Sequence, residues 1–445
     1  MTARDTIAAI STAAGRAAVG VVRVSGERVA QIAADLIGRV PQPRMATLVT
    51  LRDATGEPID QGIALYFPAP RSYTGEDVLE LQGHGGAVVL RRILQRCLDL
   101  GARVAEPGEF TRRAFLNGQL DLLLAVGVID LIDATTNQAA RSAMRSLQGE
   151  FSSAIDHVVG ELVELRVRVE AMLDFPEEEL DGAEPHDTAV RLARVRSALE
   201  RVLGGAQRGS LLREGVHIVL AGRPNVGKSS LLNWLAGEDI AIVTDIPGTT
   251  RDAIRQVIDL GGIPAHVVDT AGLRESADPV ERLGVDRAWS AIQSADVLLH
   301  LLDAREPAAP IDETILRRLP AGAARITVVN KIDLIGYPAT LKEEGAATTV
   351  WLSAKTGEGI ELLRAALLKR LGIEERGEGV FLARERHLRA LTEAKRHVDA
   401  ASSRMAPELV AEDLRLAHQA LCQITGEFSA DDLLGEIFQR FCIGK

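Results

Sequence analysis

Hydrophobic and polar positions change period three times along this chain. Up to about residue 118, short apolar runs are cut by Gly/Pro turns, as in AAVGVVRVSG and GIALYFPAPRSYTGEDVLELQGHGG. Within these runs DVLELQ alternates apolar and polar residues, the period of a half-buried strand. AVVLRRILQRCLDLGAR then takes helical spacing. Residues 1–118 are therefore expected to form an α+β domain. From 119 to 210 apolar residues recur at three- and four-residue steps, with no proline before FPEEELDGAEPH. That length predicts a helical bundle or coiled-coil-like hairpin, whose second arm is TAVRLARVRSALERVLGGA. Over 211–372, buried-looking strands (VHIVLAG, AHVVDTAG, DVLLHLLDA, RITVVNK) alternate with helices, the rhythm of a doubly wound α/β sheet. Beyond about 375 the pattern is helical again, in RERHLRALTEAKRHVDAASSRM, ELVAEDLRLAHQALCQIT and SADDLLGEIFQRFCIGK. The expected chain is multidomain: α+β over 1–118, a split all-α domain over 119–210 and 373–445, and an α/β domain over 211–372 inserted between its halves.

Composition narrows this. The chain has 445 residues, 46% hydrophobic and 25% charged, which is ordinary for a soluble protein. No apolar run approaches the roughly 20 residues that cross a bilayer. The first 20 residues lack the apolar stretch of a secretory signal. Three cysteines, Cys97, Cys422 and Cys442, lie too far apart for a disulfide framework or metal-ligand spacing, which fits a reducing cytoplasm. A net charge of −11 argues against nonspecific coating of nucleic acid but leaves room for a local basic site. The basic clusters LRRILQRC and FTRRAF read as solvated helix faces. The ending FCIGK places Cys442 four residues from the end, the outline of a prenylation box. Lys445 is a poor fourth residue there and nothing polybasic precedes it, so no membrane anchor is expected.

The strongest chemical signal is GRPNVGKSS. Gly222, Gly227, Lys228 and Ser229 fit a phosphate-binding loop between an apolar strand and a helix. Glycine lets N–H groups turn inward around phosphate oxygens, Lys228 supplies charge at the β and γ phosphates, and Ser229 offers a hydroxyl to Mg²⁺. Asn225, Val226 and Ser230 complete that loop. DTAG follows, where Asp269 can hold the magnesium shell and Gly272 can offer an N–H to the γ phosphate, with Thr270 and Ala271 between them. In NKID, after Asn330 and Lys331, the Asp333 carboxylate can accept the paired N–H groups of guanine. Ser353, Ala354 and Lys355 of SAK can back the base. Four such elements in order point to a guanine-nucleotide domain.

The residue after DTAG is Leu273, which cannot orient water as a glutamine would. Two substitutes are visible. TDIPGTTRD runs through Thr244, Asp245, Ile246, Pro247, Gly248, Thr249 and Thr250. Thr250 could ligate Mg²⁺, and the loop carbonyls with Asn225 could hold a monovalent cation in place of an arginine finger. Glu281 could orient the attacking water. The pattern is equally that of an exposed acid at a helix start.

These stretches, with DTIAAIST, GRAAVGVVRVSG, SYTGEDVLELQGHGG, EPGEFTRRAFLNG, DLIDATT and the FCIGK end, resemble the MnmE (TrmE) family of tRNA-modification GTPases over essentially the whole chain. The resemblance implies a homodimer formed through the N-terminal domain, which would bind a formyl-tetrahydrofolate. It implies an FAD-dependent MnmG-type partner in a heterotetramer, and tRNA as substrate. An aminomethyl or carboxymethylaminomethyl group would be added at carbon 5 of the wobble uridine. It further implies potassium-stimulated GTP hydrolysis driven by dimerisation of the GTPase domains. K⁺ would sit on Asn225, Thr244, Ile246 and Thr249, and Mg²⁺ on Ser229 and Thr250. The family's catalytic glutamate falls on Glu281, and the C-terminal tail makes Cys442 a candidate at the reacting carbon. For folate the matching positions are Arg23, Glu80 and Lys445. The chain departs from the family at Gln119, where lysine is usual, and at Leu124 and Val126, where polar residues are usual. Loss of the lysine weakens any contact with a folate carboxylate. A ribosome-assembly or RNA-binding GTPase would share the nucleotide motifs but would carry an RNA-binding domain in place of the flanking helices.

Overall fold

The structure, a computed structural model, describes residues 5–174, 185–236, 255–269, 289, 292–308, 310–311, 313–345, 347–371, 381–404, 406–425 and 444. The chain divides into two compact units. One comprises 1–129, 147–159 and 415–445, the other 130–146 and 160–414.

The first unit is built on a six-stranded sheet. Its elements are β1 (Ile7–Ile10), β2 (Ala17–Ser25), α1 (Val29–Ile37), β3 (Thr47–Arg52), β4 (Pro58–Phe67), β5 (Val78–Gly85), α2 (Ala87–Asp99), β6 (Arg103–Val104), α3 (Glu109–Leu116) and α4 (Leu122–Asp133). The strand order is β3-β4-β5-β2-β1-β6, antiparallel except for β1 with β6. Alternation decides which side chain faces which layer. Val22, Val24, Leu79 and Leu81 pack beneath α1 and α2 against Ile32, Leu36, Leu90 and Ile93. The intervening Arg23 and Glu80 are register partners and fall on the opposite face. There Ile7, Ala9 and Ala105 cluster with Phe110 of α3 and with Tyr73. Cys97, on the buried face of α2, lies in the core, where burial pushes its thiol up to about 12, so it is a packing residue.

The FTRRAF stretch corrects the expectation of a solvated face. Arg113 is buried, and its guanidinium reaches Asp5 at 2.7 Å, Glu109 at 2.9 Å and Glu76 at 3.1 Å. Arg103 pairs with both Asp5 and Glu109. Three carboxylates converging on one guanidinium offset the cost of burying it. The LLLAVGVID stretch is apolar up to Asp130 because this part of α4 is itself core: Leu122, Ala125, Val126 and Ile129 are buried against Phe115. Asp121 accepts the Leu124 N–H at 2.7 Å, which caps the helix start.

The sequence pattern reads 119–174 as one helical run, but the structure breaks it twice. After α4 the chain turns, and Thr136 Oγ1 accepts the Ala139 N–H, opening α5 (Asn137–Leu147). Gly149, with φ +82°, separates α5 from α6 (Glu150–Asp174).

In the second unit α7 (Pro185–Glu214) leads directly into a seven-stranded sheet. This comprises β7 (Val216–Ala221), α8 (Lys228–Ala236), β8 (Arg255–Leu260), β9 (Ile263–Asp269), β10 (Val297–Asp303), α9 (Glu313–Arg318), β11 (Ala324–Asn330), β12 (Thr340–Glu344), β13 (Ala347–Leu352) and α10 (Ile360–Arg370). The order β12-β13-β11-β10-β7-β9-β8 is parallel except at its two edges. Ile218, Leu220, Leu299, Leu301, Val328 and Val350 form its core with Leu231 and Leu363. Two further helices follow, α11 (Glu385–Ser403) and α12 (Pro407–Thr425). α11 runs beside α7, with ion pairs Arg196–Asp399 and Lys395–Glu200 between them. At its start Asp130 receives Arg213 at 3.0 Å and Arg384 at 3.3 Å, next to the fully buried His387. Burial, then the Arg386, Arg384 and Arg213 cations, hold that imidazole well below its ordinary value. No described helix is long and apolar enough to cross a membrane.

Candidate functional site

The carboxyl ends of the parallel strands align. Leu220 of β7 pairs with Asp269 of β9, Asp303 of β10 with Asn330 of β11, and Asn330 with Leu352 of β13. Loops leaving these ends share one rim, the usual place for a ligand in an open α/β sheet.

The loop from β7 to α8 depends on two glycines. A Cβ at Gly222 would lie 2.6 Å from the Leu301 carbonyl oxygen. Gly227 has φ +98°, and a Cβ there would come within 2.2 Å of Asn330 Nδ2. Asn225 is also left-handed, with φ +64°. Lys228 is buried, and its ammonium donates to the Gly222 carbonyl at 2.8 Å, which holds the charge inside the loop. Ser229 and Ser230 follow in the exposed first turn of α8. The turn carries backbone N–H groups, the Lys228 ammonium and the Ser229 hydroxyl within a few residues, a donor set that suits a polyphosphate and its metal ion.

Asn330 clasps the three loops together. It is 2% exposed. Its Nδ2 donates to the Val226 carbonyl at 2.8 Å, and its Oδ1 accepts the Ala354 N–H at 2.8 Å. Ser353, fully buried, donates to Asp333 Oδ1 at 2.7 Å and so sets the carboxylate that faces outward. The Lys355 and Thr356 N–H groups in turn reach Ser353 Oγ at 3.3 Å. Sequence reading placed Ser353, Ala354 and Lys355 behind the base without foreseeing this hydrogen bond. It missed Asp303, whose only signal is an acid ending the buried DVLLHLLDA strand. Asp303 accepts from Lys331 at 2.9 Å and from Arg305 at 2.7 Å. The Arg305 hydrogen bonds, then the Lys331 ammonium, hold its carboxyl well below the usual range.

Thr244, Asp245, Ile246, Pro247, Gly248, Thr249, Thr250, Thr270, Ala271, Gly272 and Glu281 lie outside the described residues, as do Cys442 and Lys445. The backbone of Asp269 ends β9 beside the phosphate loop.

In the first unit, Arg23 donates to Glu80 Oε1 through Nε at 3.0 Å and Nη2 at 2.8 Å. The Tyr73 and Phe110 rings flank the guanidinium at 5.4 and 5.7 Å. Tyr73 Oη is 2.8 Å from Thr111 Oγ1, and burial is the main cause that raises its phenol. Gln119, after α3, lies beside Asn117 and packs near Gly75 of the loop that carries Tyr73. From the tail, Gly444 accepts a hydrogen bond from Ser11 Oγ at 3.0 Å, at the end of β1. Burial pushes the Glu109 carboxyl of the neighbouring ion network up, but bonds from Arg103, the Glu106 N–H and Arg113 bring it below its ordinary value.

Known proteins match both units. The family model described as "MnmE helical domain" matches residues 122–442, and "GTP-binding protein TrmE N-terminus" matches 6–119. The chain belongs to the MnmE/TrmE family of tRNA modification GTPases. A "tRNA modification GTPase MnmE" from Azoarcus sp. (strain BH72) is 58% identical over 445 residues, covering 99% of this chain and 98% of that protein. Its namesake from Nitrosomonas europaea is 56% identical over 451 residues, covering all of both chains. A solved structure of Aquifex aeolicus Era bound to GDP and aluminium fluoride is 29% identical over 43% of this chain and 68% of that one, with a TM-score of 0.27. That overlap is too loose to bear on the fold.

Proposed function

We propose that the protein couples GTP hydrolysis to modification of the wobble uridine of certain tRNAs. Membership in the family makes it a GTP-hydrolysing enzyme. The observation that carries the nucleotide assignment is Asn330, which joins the phosphate loop to the loops bearing Asp333 and Ser353. One end of this rim suits phosphates and the other suits a base with adjacent N–H donors. Guanine has such a pair and adenine does not.

Lys228 would neutralise the β and γ phosphates, and Asp333 would accept the N1 and N2 protons of guanine. Ser229 stands where a hydroxyl ligand of Mg²⁺ is needed, with Thr250 as its second. The exposed, left-handed Asn225 suits K⁺ at the loop's mouth, with Thr244, Ile246 and Thr249. Such cations supply positive charge where it builds up on the transferring phosphoryl group. Glu281 would orient the attacking water.

In the first unit Arg23 and Glu80, already paired, suit a pterin, whose amide edge resembles that of guanine and can bond a carboxylate. Gln119 brings a neutral amide where a charged contact with a folate carboxylate would need a cation. The tail is held near this sheet through Gly444, which favours Cys442 and Lys445 as residues of the modification site. The protein would act as a homodimer with an FAD-dependent MnmG-type partner. GTP-driven association of the GTPase domains would promote turnover. Nucleoside analysis of tRNA from cells lacking the protein tests the reading. The carbon-5 substituent at the wobble uridine should disappear, and intact modification would overturn the function.

A further inference from the structure

Three non-glycine residues among those described have left-handed backbone: Arg44, Asn225 and Lys331. Two of them touch. The Lys331 ammonium donates to the Asn225 backbone carbonyl at 2.6 Å, so the strained residue of the guanine loop braces the strained residue of the phosphate loop. The same ammonium donates to Asp303 Oδ2 at 2.9 Å. Asp303 ends β10, in register with Asn330, so it is anchored in the sheet and not in either loop. We propose that Asp303 is a positioning residue for guanine-nucleotide binding, which holds Lys331 against the Asn225 carbonyl and so fixes the phosphate loop in its binding shape. This rests on the nucleotide reading above, but no sequence motif assigns Asp303 a role.

The physical case is one of geometry. A left-handed conformation at a β-carbon-bearing residue is sparsely populated and persists only when its surroundings hold it. Asn330 fixes the phosphate loop at Val226, one residue further on. Lys331 fixes it at Asn225. A lysine is a flexible point charge, and alone it would find other partners. The Asp303 carboxylate selects the rotamer that reaches the loop. Arg305 binds the same carboxylate through Nε and Nη2 from an exposed position, and it reaches no loop atom through that pair.

The test uses the full-length protein, release of fluorescently labelled GDP and of labelled inosine diphosphate, and steady-state GTP turnover. Asp303→Ala should speed release of both nucleotides about tenfold, and the shape-conserving Asp303→Asn about threefold. The ratio between the two nucleotides should not change, because the strap acts on the phosphate loop and leaves the base contact alone. KM should rise with release, while kcat stays within about twofold. Arg305→Ala should leave release at the native rate. Unchanged release from both Asp303 variants would overturn the proposal. An Arg305→Ala effect equal to Asp303→Asn would overturn it too, since the effect would then belong to the surface pair. A changed GDP-to-inosine-diphosphate ratio would show that Asp303 acts through the base, and would likewise overturn it. Native protein that fails to bind labelled GDP would sink the nucleotide reading itself, a result distinct from all of these.

Discussion

The two candidate sites of this chain are built in opposite ways. At the sheet rim of the second unit, the candidate site is shaped first by backbone: two glycines at Gly222 and Gly227 whose neighbours leave no space for a Cβ, and left-handed turns at Asn225 and Lys331. In the first unit it is shaped by side-chain pairing across strands, with Arg23 and Glu80 brought together by register although they are 57 residues apart. Backbone geometry needs particular residues at fixed short spacing, so it leaves contiguous motifs. Strand register leaves no local trace, because any alternating segment can pair with any other.

Breaking each site should therefore damage different properties. Arg113→Met strikes the charge network beside the Arg23 pair, removing the guanidinium that Asp5, Glu76 and Glu109 share and leaving Arg103 as the remaining cation for Asp5 and Glu109. A loss of about 3–5 kcal/mol is expected. Hydrogen exchange should show it as lost protection in peptides from β1, β2 and β5, with nucleotide binding intact. Gly227→Ala should do the reverse. The added methyl group meets Asn330 Nδ2 in a backbone conformation that alanine resists. GDP affinity should drop about a hundredfold, read by titration with labelled GDP, with the first unit's exchange unchanged. The smallest effect lies away from both. His387 is held neutral, with a folded value below 6.5, so its contribution is complete above pH 6.5 and is lost as pH falls from there toward the folded value. Lowering the pH from 7.5 to 5.5 should therefore cost the native chain about 1 kcal/mol more than His387→Gln, measured as the difference in thermal midpoint shifts.

The legibility of the chain follows the same division. The P-loop, NKID and SAK stretches were readable because Gly227, Asn330 and Ser353 serve backbone and loop geometry, and the structure brings them together on one rim. Asp303 was not readable, because its partner Lys331 is adjacent only through the β10–β11 register. FTRRAF misled for a related reason. Helical spacing says which residues share a face, but Arg113 is buried because Asp5 and Glu76 arrive from segments 108 and 37 residues away. The apolar first turns of α4 looked like a departure from a polar family pattern, and in this chain they form core with Phe115. Long helical texture also hid the breaks at Thr136 and Gly149, where one hydroxyl cap and one left-handed glycine redirect the chain.

The central claim is that Asp333, set by Ser353, reads the base. Turnover of GTP and of xanthosine triphosphate by native protein and Asp333→Asn tests it most directly. Xanthine carries a second carbonyl where guanine carries its amino group, so an amide should accept it and a carboxylate should reject it. The account predicts that the native protein prefers GTP and that Asp333→Asn reverses the preference. A variant that still prefers GTP by the native ratio would contradict it.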